Sequence, residues 1–283
     1  LSLSMDYLPE SMVHMEEALE DGNRAYVSRY ALGRDYHRVI RRRLQKLATW
    51  IESRVGAFGY RVFTDSAPVM EKPLGANGGL GWIGKHTNLI DRRRGSWFFI
   101  GEIYTDLALP PDPPVADHCG SCRKCIDACP TGAIVEPYVV DARLCISYLT
   151  IEHRGPIPEK LRPMLGNRVF GCDDCQLVCP WNRYAVTTSV EDFAPRHGLD
   201  RAGLLDLFLW DSATWSRCTE GSPLRRAGYH GWLRNLAVAL GNAPPSARIV
   251  DALHRRRNHE SGLVREHVDW ALAMQSGRPR LPG

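Results

Sequence analysis

The sequence predicts a mixed α/β (α+β) fold over residues 1–112, a cysteine-rich domain over residues 113–185 and a helical region over residues 186–283. Three observations predict this organisation. Helix-spaced and strand-like apolar runs follow one another in the first part, eight of the nine cysteines are concentrated in the second, and the third has helical periodicity. The proline-rich run 110–114 predicts a linker between the first two parts.

The first part is expected to combine one long helix with several short strands. Apolar residues at helical spacing predict an amphipathic helix over 35–54, and the next apolar run, 60–63, predicts a strand. The glycine-rich segment 72–84 predicts a loop. Strand-like runs over 87–90 and 97–104 follow, separated by a polar turn.

The helical region shows a possible internal repeat. Similar segments begin at Ser222 and Ser261, an offset of 39 residues, and each is expected to start a helix. Ser222 followed by proline suits an N-cap and first helical position, and Gly241 suits a helix stop. A spacing of about 40 residues is typical of HEAT-like repeats, but an ordinary helical hairpin explains a single pair equally well.

Composition places the chain among globular proteins of a reducing compartment. Hydrophobic residues make up 44% and charged residues 24% of its 283 residues, which suits a protein with a sizeable core. No apolar run reaches the roughly 18 residues of a transmembrane helix. Residues 1–8 lack both an initiator Met and a signal-peptide layout, so we expect N-terminal material to be missing. Clustered rather than dispersed cysteines favour metal or iron–sulfur ligation and a cytoplasmic location.

The cysteine spacing predicts two [4Fe–4S] clusters. The run 119–130 has the bacterial ferredoxin pattern, in which the fourth cysteine ligates the other cluster. The run 172–180 has the complementary ending and lacks one cysteine, which Cys145 is placed to supply. Structural zinc does not explain two interlocking Cys-x₃-Cys-Pro endings, and Cys218 is left as a core thiol. The predicted ligands are Cys119, Cys122, Cys125 and Cys179 for the first cluster, and Cys129, Cys145, Cys172 and Cys175 for the second.

The net charge says little about function, whereas the two predicted clusters indicate electron transfer. The formal net charge of +4 is no guide to partners, because two oxidised clusters with their thiolates bring it to about zero. The excess of Arg over Lys suits nucleic-acid binding, although a GC-rich genome produces the same excess. Two adjacent clusters transfer single electrons, which indicates a reductase or a carrier. A pure carrier does not need so much additional chain, so a second cofactor or a substrate site is expected.

Three motifs come close to known signatures and fail. The glycines of 79–84 match a dinucleotide fingerprint but follow a loop rather than a strand. The same segment resembles a P-loop, with His86 in place of the Ser or Thr that holds Mg²⁺. The signature by which some proteins ligate cobalt through His begins at Asp35, but Ile40 stands where it needs Gly. His37 is therefore not expected to hold a cobalt ion.

Asp65 is the candidate proton donor. It follows an apolar strand and precedes a glycine-rich loop, a position where partial desolvation raises the pKa of a carboxylic acid. An Asx turn or a helix cap is the simpler interpretation, and both stay open on sequence alone.

Five stretches, taken together with the interlocked cysteines, resemble the epoxyqueuosine reductase family. The resemblance runs from residue 1 to about residue 185 and continues more loosely through the helical region. The five stretches are Tyr30–His37, Thr64–Glu71, Gly79–His86, Cys145–Thr150 and Gly171–Gln176.

The resemblance implies a cobalamin-binding α/β domain with an inserted ferredoxin-like domain and a HEAT-like tail. It implies a cobalamin-dependent enzyme that reduces epoxyqueuosine to queuosine at the wobble position of tRNA, the last step of queuosine synthesis. Cobalamin is expected to bind with its lower base detached, and Asp65 to protonate the epoxide oxygen. The implied corrinoid contacts are Ser28, Asp65, Leu89, Ile100, Ser147 and Asp173. The expected tRNA contacts, each of which is equally explained as a solvated helix face, are His153, Arg154, Arg225, Arg226, Arg234 and Arg255.

Partners and alternatives complete the expectations. Electrons are expected from a ferredoxin or flavodoxin, and the chain is expected to be a monomer that does not bind membranes. One alternative is a corrinoid iron–sulfur reductase of the reductive dehalogenase type, which uses Tyr as proton donor. Another is a ferredoxin-like carrier subunit that binds neither cobalamin nor tRNA. Asp65 and the Arg-rich tail favour tRNA chemistry over the dehalogenase alternative.

Overall fold

The computed structural model describes residues 1–9, 12–65 and 67–277. Its mixed α/β architecture confirms the predicted fold class. No helix within these described ranges is long and apolar enough to cross a membrane.

A three-stranded antiparallel sheet forms the first layer. Strands β1 (Ser2–Asp6) and β3 (Tyr60–Phe63) flank the central strand β6 (Phe98–Thr105). The pairings Ser4–Ile100 and Phe63–Glu102 set the register. The predicted strands at 60–63 and 97–104 are confirmed, and β6 is central because its burial pattern is almost continuous.

Helix α2 (Tyr36–Val55) covers this sheet and confirms the predicted amphipathic helix. Asp35 caps it, since its side chain accepts the backbone N–H of His37. Ile40 and Leu44 pack against Gly101 of β6, where an added Cβ would lie 2.8–2.9 Å from their side chains. Glycine at this position therefore sets how closely the helix approaches the sheet.

The segment predicted as a loop over 72–84 contains regular structure, so that prediction was wrong. Helix α3 (Glu71–Asn77) precedes strand β4 (Trp82–Ile83), which pairs with β5 (Leu89–Ile90). Gly75 lies inside the helix, and an added Cβ would press on Leu89 at 3.0 Å. The glycine allows close packing here, a role that composition alone does not reveal.

The cysteine-rich region is built from very short elements. Helices α4 (Lys124–Asp127) and α6 (Asp174–Leu177) each contain one cysteine, and α5 (Ile146–Ile151) begins directly after Cys145. Strands β7 (Ile134–Glu136) and β8 (Val139–Val140) form a hairpin. Strand β2 (Tyr26–Val27) pairs in parallel with β9 (Arg168–Phe170), which joins this region to the first part. The remaining early helix is α1 (Met12–Glu20).

Helices complete the fold and supply its largest core. They are α7 (Leu204–Phe208), α8 (Ser212–Cys218), α9 (Gly228–Asn242), α10 (Ala247–Arg255) and α11 (Gly262–Gln275). The core around Trp232 takes residues from all three predicted domains, among them Val27 and Phe170. Fully burying such side chains stabilises the fold by about 1.5–3 kcal/mol each.

Two glycine and capping predictions in this region had different outcomes. Ser222 accepts the backbone N–H of Leu224 at 3.3 Å and confirms the predicted N-cap, although a 3₁₀ turn rather than an α-helix follows it. Gly241 does not stop α9, which continues to Asn242. An added Cβ on Gly241 would strike the ring of Trp270, so this glycine permits the close crossing of α9 and α11.

Candidate active site and cluster-binding region

The eight clustered cysteines border two cavities, in the two sets that their spacing predicts. The first set, Cys119, Cys122, Cys125 and Cys179, borders a small cavity together with Lys85 and His86. The second set, Cys129, Cys145, Cys172 and Cys175, borders a larger cavity of about 450 Å³. The structure therefore separates Cys125 from Cys129, and Cys175 from Cys179, although each pair lies on one short run of chain.

All nine cysteines are free thiols. Within the described ranges, no three His, Cys, Asp or Glu side chains converge as a single metal ion would require. The donor chemistry of four thiols spread around a cavity fits a [4Fe–4S] cluster, which spreads its four irons over several ångströms.

The larger cavity also collects the predicted cofactor contacts. Its lining includes side chains from β6, α5, the β2–α2 connection and the turn after β3, so distant segments meet here. All six predicted corrinoid positions are in that lining: Ser28, Asp65, Leu89, Ile100, Ser147 and Asp173. Asp65 and the second cysteine set thus face one common space.

Asp173 is buried on one side of this cavity, and its carboxylate accepts three hydrogen bonds. Its carboxylate accepts hydrogen bonds from the hydroxyls of Tyr26 at 2.8 Å and Ser28 at 2.5 Å, and from the N–H of Arg29 at 2.9 Å. Three donors stabilise a carboxylate that burial would otherwise disfavour. The network ties β2 to the Cys172–Cys175 loop and fixes that wall of the cavity.

Asp65 lies at the end of β3 in an unusual backbone conformation. Its φ of 43° is in the left-handed region, which an Asp tolerates better than most residues. The N–H of Asp65 donates to Glu71 Oε1 at 2.6 Å. Its Oδ2 accepts from the Tyr36 hydroxyl and lies 3.2 Å from His37 Nε2. The carboxylate is thereby held over the cavity by two side chains of the first turn of α2.

The electrostatics of this group differ from the sequence expectation. The hydrogen bond to His37 lowers the pKa of Asp65, with a further contribution from Tyr36, and together they outweigh the opposing effect of burial. Burial disfavours charge on His37, but its bonds to Asp35 and Asp65 raise the pKa of His37 to about 9. The prediction that desolvation raises the pKa of Asp65 was therefore wrong. At neutral pH His37 is therefore protonated and Asp65 ionised.

Sequence reasoning missed two members of this group and misjudged a third. Tyr36 and Glu71 line the cavity without having been singled out individually. Burial raises the pKa of Glu71 to about 7. His37 was considered only as a cobalt ligand, yet both of its ring nitrogens face carboxylates, with Nδ1 lying 2.7 Å from Asp35 Oδ1. The sequence did contain one signal for this role, because His37 is the third residue of the predicted 35–54 helix and lies close to Asp35.

The predicted tRNA contacts divide into a surface group and one buried residue. Arg154, Arg225, Arg226 and Arg255 are exposed, and His153 is partly exposed. Arg226 forms a two-pronged ion pair with Glu152, its Nη2 lying 2.8 Å from Oε2.

Arg234 does not belong to this surface, so the prediction for it was wrong. Only 1% of it is exposed, and its guanidinium donates to the carbonyls of Leu149, His153 and Gly155 at 2.6–2.9 Å. Arg234 links α9 to the α5 region through these hydrogen bonds, and it is not placed to bind a phosphate.

Family models match two parts of the chain. A model described as a 4Fe-4S double cluster binding domain matches residues 118–182, and one described as epoxyqueuosine reductase QueG, DUF1730 matches residues 1–66.

Curated relatives match nearly the whole chain. An epoxyqueuosine reductase of Xanthomonas campestris is 61% identical over 273 residues, which is 96% of this chain and 77% of the relative. That of Escherichia coli K12 is 52% identical over 278 residues, covering 98% and 73%.

Solved structures share the fold. A crystal structure of epoxyqueuosine reductase with a tRNA-Tyr epoxyqueuosine-modified stem loop has a TM-score of 0.88 and 27% identity, covering 97% of this chain and 72% of that one. A Bacillus subtilis epoxyqueuosine reductase, whose catalytic aspartate loop is swung out of the active site, has a TM-score of 0.86 and 26% identity, with the same coverage.

Proposed function

The chain belongs to the epoxyqueuosine reductase family, and we propose that it reduces epoxyqueuosine to queuosine at the wobble position of tRNA, using cobalamin and two [4Fe–4S] clusters. One observation carries the proposal: a single cavity is lined both by Asp65 and by the second cysteine set. The family assignment favours this reductase over the dehalogenase and carrier alternatives.

Each cysteine set has the chemistry to hold one cluster. Two members of the first set are buried and two are partly exposed, and all four members of the second set are partly exposed. The second set borders the large cavity and would hold a cluster at the substrate space, where it would supply single electrons.

The residues of the large cavity fit cobalamin. Apolar side chains such as Leu89 and Ile100 provide a lining for the corrin ring, and Ser147 provides a polar contact. Both ring nitrogens of His37 are engaged by carboxylates, in keeping with a cobalt that no histidine holds. Reduced cobalamin supplies a strong, soft nucleophile or one-electron donor for an epoxide carbon.

Asp65 and His37 supply the proton to the departing oxygen. Asp65 is ionised and His37 protonated at neutral pH, and the two lie 3.2 Å apart. His37 would therefore transfer its Nε2 proton to the Asp65 carboxylate, which would pass a proton on to the departing oxygen. The Tyr36 hydroxyl donates to the same carboxylate and fixes its direction. A positioned acid of this kind contributes about 10²–10⁴-fold to rate.

A group of exposed basic residues is proposed to bind the tRNA. Arg154, Arg225, Arg226 and Arg255 are exposed, and His153 lies next to Arg154. Arg guanidinium groups bind phosphate in a planar two-pronged geometry, and sequence-specific RNA recognition targets splayed loop nucleotides. The HEAT-like description of the tail, action as a monomer, a ferredoxin or flavodoxin donor and a cytoplasmic location belong to the same proposal.

Anaerobic reconstitution with iron and sulfide, followed by cobalamin and tRNA carrying epoxyqueuosine, tests the function. Nucleoside mass spectrometry should show loss of one oxygen that depends on both cobalamin and reductant. Loss without cobalamin would refute the cofactor assignment. No loss, with both clusters and cobalamin bound, would refute the substrate.

A further inference from the structure

The segment Gly79–His86, which resembles a phosphate-binding loop without being one, lies against the first cluster site. Lys85 and His86 line the cavity bordered by Cys119, Cys122, Cys125 and Cys179. Trp82 packs with Cys119 and Cys179 in a small buried cluster. Trp82, Lys85 and His86, all from one short segment, therefore border the first cysteine set.

Lys85 brings a buried positive charge to this site. Only 9% of it is exposed, and its Nζ donates to the carbonyls of Gly120 and Cys122 at 2.6 and 2.9 Å. Among the described residues it forms no ion pair, and the exposed carboxylate of Asp117 acts on it only at longer range. Burying an ammonium group without a close opposite charge is costly. A [4Fe–4S] cluster with four thiolates is negative and would supply that charge.

His86 and Trp82 each present a buried N–H that makes no hydrogen bond of normal geometry. The Nδ1 of His86 accepts the N–H of Asn88 at 3.1 Å, so the ring proton lies on Nε2. This Nε2 has no hydrogen-bond partner within the part of the chain that the structure describes. The Nε1 of Trp82 makes no hydrogen bond of normal geometry there, although its N–H lies close to the thiol of Cys119. His86 is 4% and Trp82 3% exposed. Such donors are rare in folded proteins and need an acceptor, which cluster sulfur atoms would provide.

We infer that Trp82, Lys85 and His86 form a cradle that raises the reduction potential of the first cluster. Reduction adds one electron to an already negative cluster, and nearby positive charge and N–H donors stabilise the added charge. Lys72 borders the cavity of the second cysteine set, but it is exposed, so solvent screens its charge more than that of the buried Lys85. The cradle would therefore make the two potentials unequal. The inference rests on the proposed assignment of the first cluster to these cysteines.

Redox titration followed by electron paramagnetic resonance tests the cradle. The reconstituted full chain would be compared with Lys85→Met, which removes the charge and keeps the length, and with His86→Phe, which removes the donor. We expect each variant to make reduction of one cluster about tenfold less favourable, a fall of 59 mV for one electron. The potential of the other cluster should stay unchanged.

Lys124→Met is the matched control. Lys124 directly precedes the first-cluster ligand Cys125 but is exposed, so solvent screens its charge and the potential should not move. His86→Gln keeps an N–H donor and should restore most of the shift. Unchanged potentials in both Lys85→Met and His86→Phe would overturn the cradle. If wild-type chain assembles no first cluster at all, the proposed function fails instead.

Discussion

His37 joins two carboxylates, with Nδ1 lying 2.7 Å from Asp35 and Nε2 lying 3.2 Å from Asp65. Since Asp35 also caps α2, the helix start, the imidazole and the cavity carboxylate form one rigid unit. This relationship places the labile proton behind Asp65 rather than on it.

The first prediction concerns the pH dependence of the rate. His37 has its pKa raised to about 9, so its imidazole is charged at neutral pH and loses its proton as pH rises through about 9. We expect the single-turnover rate of the wild type to fall above pH 9. In His37→Gln the proton supply is lost at neutral pH, and the rate at pH 7 should fall about a hundredfold.

Tyr36→Phe is the control for this prediction, because it removes one hydrogen bond to Asp65 but leaves His37 in place. Its rate should keep the fall near pH 9. A wild-type profile that is flat from pH 7 to 10 would contradict the role of His37.

A second prediction concerns Glu71 and stability. Burial raises its pKa to about 7, so its stabilising effect is fully present below pH about 4.5 and is lost as pH rises through 7. Glu71→Gln should therefore gain stability relative to wild type at pH 8 but not at pH 4.5. We expect a gain of about 1 kcal/mol or less, because the group is partly solvated. Thermal unfolding at the two pH values measures it, and an equal effect at both would contradict the assignment.

A third prediction separates Arg234 from the exposed arginines. Arg234→Met leaves three buried carbonyls without donors and should cost about 3 kcal/mol of stability. Arg255→Ala should leave the unfolding temperature unchanged and weaken tRNA binding, with a reduced salt dependence. Thermal unfolding and a salt titration of tRNA affinity distinguish the two. Equal destabilisation by both changes would contradict the division.

A fourth prediction tests the interlocked ligand sets. Cys179 follows Cys175 by one short turn, yet the two border different cavities. Cys179→Ala should remove the first cluster alone, and Cys175→Ala the second alone. Iron content and paramagnetic resonance of each variant give the answer. Loss of the same signal in both would show that the two residues share a cluster.

Whether the sequence predicts a structural feature depends on how far apart in the chain the residues that determine it lie. The cysteine spacing predicts which thiols lie together, because interlocking runs leave little geometric choice. The strands at 60–63 and 97–104 follow from local apolar runs. The helix at Glu71–Asn77 was missed because its glycines suggested a loop. Gly75 lies in the helix to allow close packing against Leu89, a contact that the local sequence does not reveal.

The chemistry of the site was harder to predict than its location. Asp65 was identified, but the direction of its pKa shift depends on His37, which lies 28 residues earlier in the chain. Arg234 looks like a surface cation in sequence, and only the carbonyls of the α5 region reveal its buried role. In both cases the deciding partner comes from another element, which local patterns do not specify.

The most direct test of the account is the single-turnover rate of Asp65→Asn, measured on protein that retains both clusters and cobalamin. Epoxyqueuosine in tRNA would be followed by mass spectrometry against the wild type at pH 7. The account predicts a loss of about 10²–10⁴-fold in rate, with cofactor content unchanged. An undiminished rate in this variant would contradict Asp65 as the group that protonates the departing oxygen.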